Sequence, residues 1–294
     1  MSDFFLTGAD GFVGNNLITY LNGLFSIFKY SRNSKLLINQ HSVIHLAGKA
    51  HDLKNTSTSD EYYQSNTEFT KSVFDAFLAS KAQVFITLSS VKAVADEVEG
   101  VLTEEHIPNP ITHYGKSKLL AEQYILSKEI PKGKRVYILR PCIIHGPGNK
   151  GNLNLLYSLV SKGFPWPLGS FENKRSFCSI DNLLFIIKEL IEREDIPTGV
   201  YNVADDESLS TNEIISILAE SQNRKPKIWK VSKALIQYVA MIGNFFRLPL
   251  NKERLNKLTD SYVVSNQKIK SVIGKPLPVS SKEGLLRTFQ SFSR

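Results

Sequence analysis

Tyr114 and Lys118 stand four residues apart in "HYGKSKLLAEQYILSK" (113–128), which reads as a helix, so both fall on one face. A phenol ordinarily titrates near pH 10, about three units too high for a base at neutral pH. An ammonium beside it stabilises the phenolate, and a tyrosine so tuned can exchange a proton with a substrate oxygen. Upstream, "AQVFITLSS" (82–90) reads as an apolar strand ending at Ser89 and Ser90, which bring a hydroxyl toward that phenol. Near the start, "LTGADGFVG" (6–14) carries Gly8, Gly11 and Gly14 at a spacing of three. Their flanks give the glycines meaning: an apolar strand precedes them and a helical pattern follows. Strand, glycine turn and helix start present unpaired N–H groups and the positive end of a helix dipole to an anion. In a dinucleotide site the first glycine makes the turn, the second admits the pyrophosphate and the third lets helix and strand pack.

Such residues need elements to aim them, and the first half of the chain alternates strand and helix. Residues 25–30 alternate as a strand, and "SVIHLAG" (42–48) is a second that ends at glycine. Thr67 to Ala79 has helical spacing, with Phe69, Val73, Phe74 and Phe77 on one side. "RVYILRPCIIHGPG" (135–148) is a strand running out at Pro and Gly. Repeated strand–helix units predict an α/β fold, a doubly wound parallel sheet of the Rossmann type. Ligands of such sheets bind beyond the carboxyl ends of the strands, where "LAG" and "LSS" both fall. Residues 148–177 are rich in Gly, Asn and Pro and read as an irregular excursion; "GVYNVAD" (199–205) reads as one more strand. The expected division is a dinucleotide-binding domain over 1–148 and 177–204, with a smaller substrate-binding lobe over 149–176 and 205–294.

The net charge of +8 is spread along the chain without a dense basic run or interleaved aromatics, which argues against nucleic acid and for a small anionic ligand. Two cysteines, Cys142 and Cys178, support neither a disulfide framework nor a zinc cluster, and the six histidines lack metal-site spacing, so no metal is expected. The opening Met1-Ser2-Asp3 has no secretory pattern. "KALIQYVAMIGNFF" (233–246) is too short and too polar for a bilayer span, which needs about 20 apolar residues. It reads as a core-facing or partly amphipathic helix, and the expected location is cytoplasmic.

Taken in order, "TGADGFVG", "HLAG", "LSSVKAV", "YGKSK" and "LRPCIIHGPG" resemble the extended short-chain dehydrogenase/reductases, the nucleotide-sugar epimerases, dehydratases and ketoreductases. The resemblance runs to "KPLPVSSKEGLLRTF" (275–289). It implies Ser90, Tyr114 and Lys118 as the catalytic residues, with Ser89 one step out of register. Tyr114 would trade a proton with a sugar hydroxyl or keto oxygen while hydride moves between the sugar carbon and nicotinamide. It further implies cofactor contacts from Gly8, Gly11, Phe12, Val13 and Gly14, from Leu46, Ala47 and Gly48, and from Tyr114 and Lys118. For the substrate it implies Ser90, with Asn152, Arg175 and Arg254 on the diphosphate. His45 and His51 read as structural or loop residues. The usual family tyrosines are replaced by Val94 and His145. A homodimer built on a helix pair is also implied.

NAD users of this family place an acidic residue at the end of the second strand to hold the ribose 2′-OH. No Asp or Glu occurs between Asp10 and Asp52, and Tyr30, Ser31 and Arg32 stand at that place. A guanidinium beside a hydroxyl suits a 2′-phosphate, so NADP(H) is favoured, with NAD(H) the alternative. The short connection to "SVIHLAG" predicts that the customary intervening helix is missing. Dehydratases of the family follow the catalytic Ser/Thr with Asp and Glu; Val91 and Lys92 replace them here, so elimination lacks its acid and base. The expected reaction is reduction of the 4-keto group of a UDP- or dTDP-linked sugar for surface polysaccharide. A 4-epimerase with bound NAD is the first alternative. A non-catalytic nucleotide sensor is the second, and the intact Ser90, Tyr114 and Lys118 argue against it.

Overall fold

The computed structural model describes residues 3–32, 34–49, 58–149, 152–246 and 251–292. From the N-terminus run β1 (Asp3–Thr7), α1 (Phe12–Leu21), β2 (Ser26–Lys29) and β3 (Ser42–His45). A continuous helical stretch follows: α2 (Ser59–Tyr62), a π-helical segment (Tyr63–Glu68) and α3 (Phe69–Ala79). Next come β4 (Val84–Leu88), β5 (Val101–Leu102), α4 (His113–Leu126), β6 (Arg135–Pro141), β7 (Ile143–His145) and α5 (Asn152–Ser161). Then β8 (Phe177–Ser179), α6 (Ile180–Glu192), β9 (Gly199–Val203) and α7 (Thr211–Ser221) follow. The chain closes with α8 (Lys233–Phe246), α9 (Lys252–Thr259), β10 (Val263–Val264), α10 (Gln267–Ile273) and α11 (Ser281–Ser291).

Six strands form one parallel sheet in the order β2-β1-β3-β4-β6-β9. Strands covered on both faces read as unbroken apolar runs, and alternate residues serve opposite sides. Phe4, Leu6, Ile44, Ile86 and Leu139 pack one face against α1 and α6 through Leu17, Leu21, Leu183, Ile187 and Leu190. Phe5, Val43, Phe85 and Ile138 pack the other against Val73, Phe74 and Phe77 of α3 and Ile125 of α4. β2 passes to β3 with no helix or strand among the described residues between them, as the short connection predicts.

The segment read as irregular holds α5. Leu153, Leu156, Tyr157 and Val160 stand at i, i+3, i+4 and i+7, and this stripe packs on α7 and α11 through Ile214, Leu218, Leu285 and Phe289. Flanking Gly, Asn and Pro masked that period. A further apolar cluster joins Trp166 and Leu168 to Ile215 of α7, Ile236 and Ala240 of α8 and Leu255 of α9.

Candidate active site

The carboxyl ends of β1, β3 and β4 set the site. Gly8, just past β1, has φ +74°, and a Cβ there would lie 2.6 Å from the Ala47 amide nitrogen. The turn is thus pressed on "LAG" at the end of β3. A Cβ on Gly14 would lie 2.2 Å from the Gly8 carbonyl oxygen, so α1 starts as close to the turn as backbone permits. Gly11 caps α1 without a side-chain hydrogen bond, and the first turn has no acidic residue. The N–H groups at Phe12, Val13 and Gly14 therefore meet no capping side chain, and the cradle fits the pyrophosphate of a nicotinamide dinucleotide. When bound, that group supplies or accepts hydride. Gly48 lies against the Lys118 ammonium, 3.1 Å from where its Cβ would stand.

α4 is fixed at its N-terminus. Asp96 Oδ2 accepts from the Ile111 amide at 2.7 Å and the Thr112 amide at 3.2 Å, and Thr112 caps the helix by accepting from the Gly115 amide. A Cβ on Gly115 would stand 2.4 Å from the Lys92 carbonyl oxygen. That close approach brings the helix onto the turn after β4, and the Tyr114 phenol meets the Ser90 hydroxyl. Ser90 Oγ also accepts from the Lys92 amide at 3.2 Å. The Ser89 hydroxyl is buried with no hydrogen-bond partner among the described residues. Gly115 was not singled out from the sequence, because its role depends on what α4 meets through space.

Lys118 Nζ donates to the Leu88 carbonyl oxygen at 2.9 Å, and burial lowers its pKa to about 8, with the Glu122 carboxylate opposing. Glu122 is itself buried against Arg140 of β6 at 2.5 Å. The sequence reading has this ammonium lowering the Tyr114 phenol; the structure gives the opposite direction. Burial raises the Tyr114 pKa, the Ser90 hydrogen bond opposes it, and the lysine is engaged with a carbonyl. Asn66, in the π-helical segment, is fully buried; it donates to Ser117 Oγ at 3.0 Å and accepts from the Lys49 amide at 2.7 Å. It ties α4 to the loop after "LAG", and a fully buried amide is the signal that marks it. π-helical turns recur at functional sites.

Arg175 pairs through its backbone with Leu209 and Tyr262. Its guanidinium donates to the Lys257 carbonyl oxygen, and its Nε is buried with no partner among the described residues. An orphaned, buried guanidinium N–H fits an anionic ligand oxygen. Tyr262 Oη in turn donates to the Ala95 carbonyl oxygen at 2.7 Å, and Lys92 Nζ sits 4.4 Å from the Tyr262 ring centre. Burial lowers the Lys92 pKa, Asp96 opposes, and Arg175 and Lys257 add to the fall. The turn after Ser90 and the Arg175 segment thus lie close enough for their charges to interact, with Asp96 and Asp260 among them.

The remaining sequence-derived residues divide. Asn152 opens α5 and Arg254 lies in α9; both side chains, like His51, lie outside the described residues. Ser31 and Arg32 are exposed past β2, while Tyr30 packs inward between Phe5 and Phe69, each ring 5.7 Å away. His45 is buried, held by Thr7 at 2.7 Å and Thr70 at 2.9 Å, and burial lowers its pKa to about 3, so it stays neutral. Val94 and His145 are fully buried, the latter between Thr288 at 2.9 Å and Asp205 at 3.4 Å. No group of His, Cys, Asp or Glu suited to a metal ion occurs among the described residues.

A parallel sheet with a glycine turn after β1, and Ser90, Tyr114 and Lys118 brought together at β4 and α4, is the arrangement the resemblance to the extended short-chain type implies. Residues 29–204 match the NAD dependent epimerase/dehydratase family, and the chain belongs to it. It is 31% identical to a UDP-glucose 4-epimerase of Vibrio cholerae, covering 98% of this chain and 94% of that one. It is 26% identical to an N-acetyl-alpha-D-glucosaminyl-diphospho-ditrans,octacis-undecaprenol 4-epimerase of Escherichia coli O157:H7, covering 97% and 93%. Among solved structures, MoeE5 in complex with UDP-glucuronic acid and NAD superposes with a TM-score of 0.76 at 21% identity, over 100% of this chain and 99% of that one. The chain is an NAD(P)-binding enzyme of the nucleotide-sugar epimerase and reductase kind. No helix among the described residues is long and apolar enough to cross a membrane.

Proposed function

We propose that this enzyme moves hydride at C4 of a diphosphate-linked hexose, and that it returns the hydride to invert the centre, as a 4-epimerase. The observation that carries the C4 chemistry is the buried Ser90–Tyr114 hydrogen bond beside Lys118, at the strand ends that border the phosphate cradle. Tyr114 exchanges the proton of the C4 oxygen, Ser90 holds that oxygen, and Lys118 fixes the ribose of the cofactor. Arg175, with its unpartnered Nε, takes a phosphate oxygen. Likeness along the whole chain to two 4-epimerases favours inversion over one-way reduction. The substrates named for these two relatives share a sugar joined to a diphosphate, the part that Arg175 would read, and the lobe of 149–176 and 205–294 closes over it.

One observation favours the second reading, a 4-ketoreductase: past β2 stand the exposed Ser31 and Arg32, with no carboxylate for a ribose 2′-OH. Heat-denaturing the purified protein separates the two. Release of NAD, together with interconversion of UDP-glucose and UDP-galactose or their N-acetyl forms, supports the epimerase. Consumption of NADPH with a UDP- or dTDP-4-keto sugar, and no interconversion, supports the reductase. Tyr114→Phe loses about 100- to 10,000-fold in turnover in either case. A variant that turns over like the parent refutes the proton role.

A further inference from the structure

Over its described side chains, α8 buries little of itself. Over residues 234–241 only Ile236 and Ala240 are buried, both against the cluster of Trp166, Leu168 and Leu255. Leu235, Tyr238 and Val239 are 54%, 58% and 40% exposed, and Met241 is 60% exposed. With the half-buried Ile242, three of these stand at i, i+3, i+4 and i+7 and form one apolar stripe turned to water. The stripe does not end at the helix. Trp229 is 59% exposed on the segment before α8, and its amide donates to the Trp166 carbonyl oxygen at 2.8 Å. Phe164, 60% exposed, lies two residues ahead of Trp166 on the paired segment.

The stretch of chain that carries this stripe has one sign of charge. From 221 to 252 there is no Asp or Glu. Lys225, Lys227, Lys230 and Lys233 are all exposed, and none forms an ion pair among the described residues. An apolar helix face edged by lysines and aromatics has the chemistry of a helix lying in the head-group layer of an anionic bilayer. Trp and Tyr settle at that depth, with the ring buried and the polar edge wet. A second copy fits less well, because a two-fold contact would set the same lysines against each other.

We propose that α8 and the basic segment at 225–233 seat this protein on an anionic phospholipid surface. The contact goes beyond the proposed reaction and does not depend on it. It is coupled to the site by packing: Ile236 of α8 and Leu255 of α9 share a cluster, and α9 supplies the Lys257 carbonyl that Arg175 binds.

The test is co-sedimentation of the full chain with vesicles of phosphatidylcholine alone, or with about 30% phosphatidylglycerol, at low salt. Binding to the anionic vesicles is expected, with little to the neutral ones and a loss of at least about tenfold near 0.5 M NaCl. Trp229 emission shifts to the blue on binding, while Trp166, 3% exposed, gives a constant background. Leu235→Glu/Val239→Glu, on the water side of α8, binds about tenfold less or weaker, with turnover of free UDP-sugar and melting temperature retained. Lys227→Glu/Lys230→Glu loses the salt-sensitive part. The proposal is overturned if the parent ignores anionic vesicles at low salt, or if the double glutamate variant binds them as the parent does. It is equally overturned if that variant instead halves the particle mass, since a second copy then covers the face.

Discussion

Adding a single methyl group at Gly14 or at Gly11 separates the two functions of the phosphate turn. At Gly14 a Cβ would stand 2.2 Å from the Gly8 carbonyl oxygen and 2.7 Å from that of Ala9, where an ordinary contact begins at 3.4 Å. Both obstacles are backbone and cannot rotate away, so α1 must retreat by about an ångström. Overpacking of this kind costs about 1–3 kcal/mol beyond the gain of up to ~1 kcal/mol that alanine brings to a helix. At about 2–4 °C per kcal/mol, Gly14→Ala lowers the Tm by roughly 2–12 °C. Gly11 is different. Its φ of −75° suits alanine. Among the described residues, chain neighbours aside, its new methyl would meet the Gly8 oxygen at 3.3 Å, a few tenths of an ångström tight. Gly11→Ala therefore melts within about 2 °C of the parent, yet its methyl occupies the approach of the pyrophosphate. Calorimetric titration with NADH and NADPH should show Kd raised at least about tenfold, which is ~1.4 kcal/mol. A Gly14→Ala that melts like the parent, or a Gly11→Ala that binds both dinucleotides unimpaired, refutes the cradle as described.

Four further outcomes follow from the site. Turnover that needs the Lys118 ammonium declines as pH rises through about 8. The same burial penalises the charged form in the fold, so from pH 8 toward 10.5 the folded chain sheds a proton that the unfolded chain keeps. Relative to Lys118→Met, the parent gains up to roughly 3 kcal/mol over that window, read by denaturant titration at each end. Arg175→Gln raises the KM for a UDP-sugar about 10- to 100-fold and leaves dinucleotide affinity as it was, which steady-state kinetics and calorimetry separate. Glu122→Ala strands a buried guanidinium and costs about 3–5 kcal/mol in urea denaturation, and adding Arg140→Met restores most of the loss.

Much of this molecule is readable from local pattern. β1, β3, β4 and β6 are short apolar runs, and a strand buried on both faces leaves that mark in any sequence. The glycine turn is legible for the same reason, since its spacing and flanks lie within a dozen residues. Ser90, Tyr114 and Lys118 come from spacing plus family resemblance. Other features depend on neighbours distant in sequence. Gly115 matters only because the Lys92 carbonyl presses on it, and Asn66 because Ser117 and Lys49 close on it. The direction of the Tyr114 pKa depends on how deeply α4 sits and on which acceptor Lys118 finds, and neither is written within its helix. α5 was hidden by its flanking Gly, Asn and Pro, although its own four apolar positions carry the period.

The sheet stops at β2, four residues long, with Phe28 half bare and the connection to β3 crossing directly. Its outer rim of amides and carbonyls pairs with no further strand among the described residues. Brevity keeps that rim from recruiting a foreign strand, because few backbone bonds are on offer. It also leaves a seam where extra chain could be spliced without disturbing the turn at Gly8. Tolerance to insertion should therefore be greatest along this border and least at the crowded junction of Gly14 with Gly8.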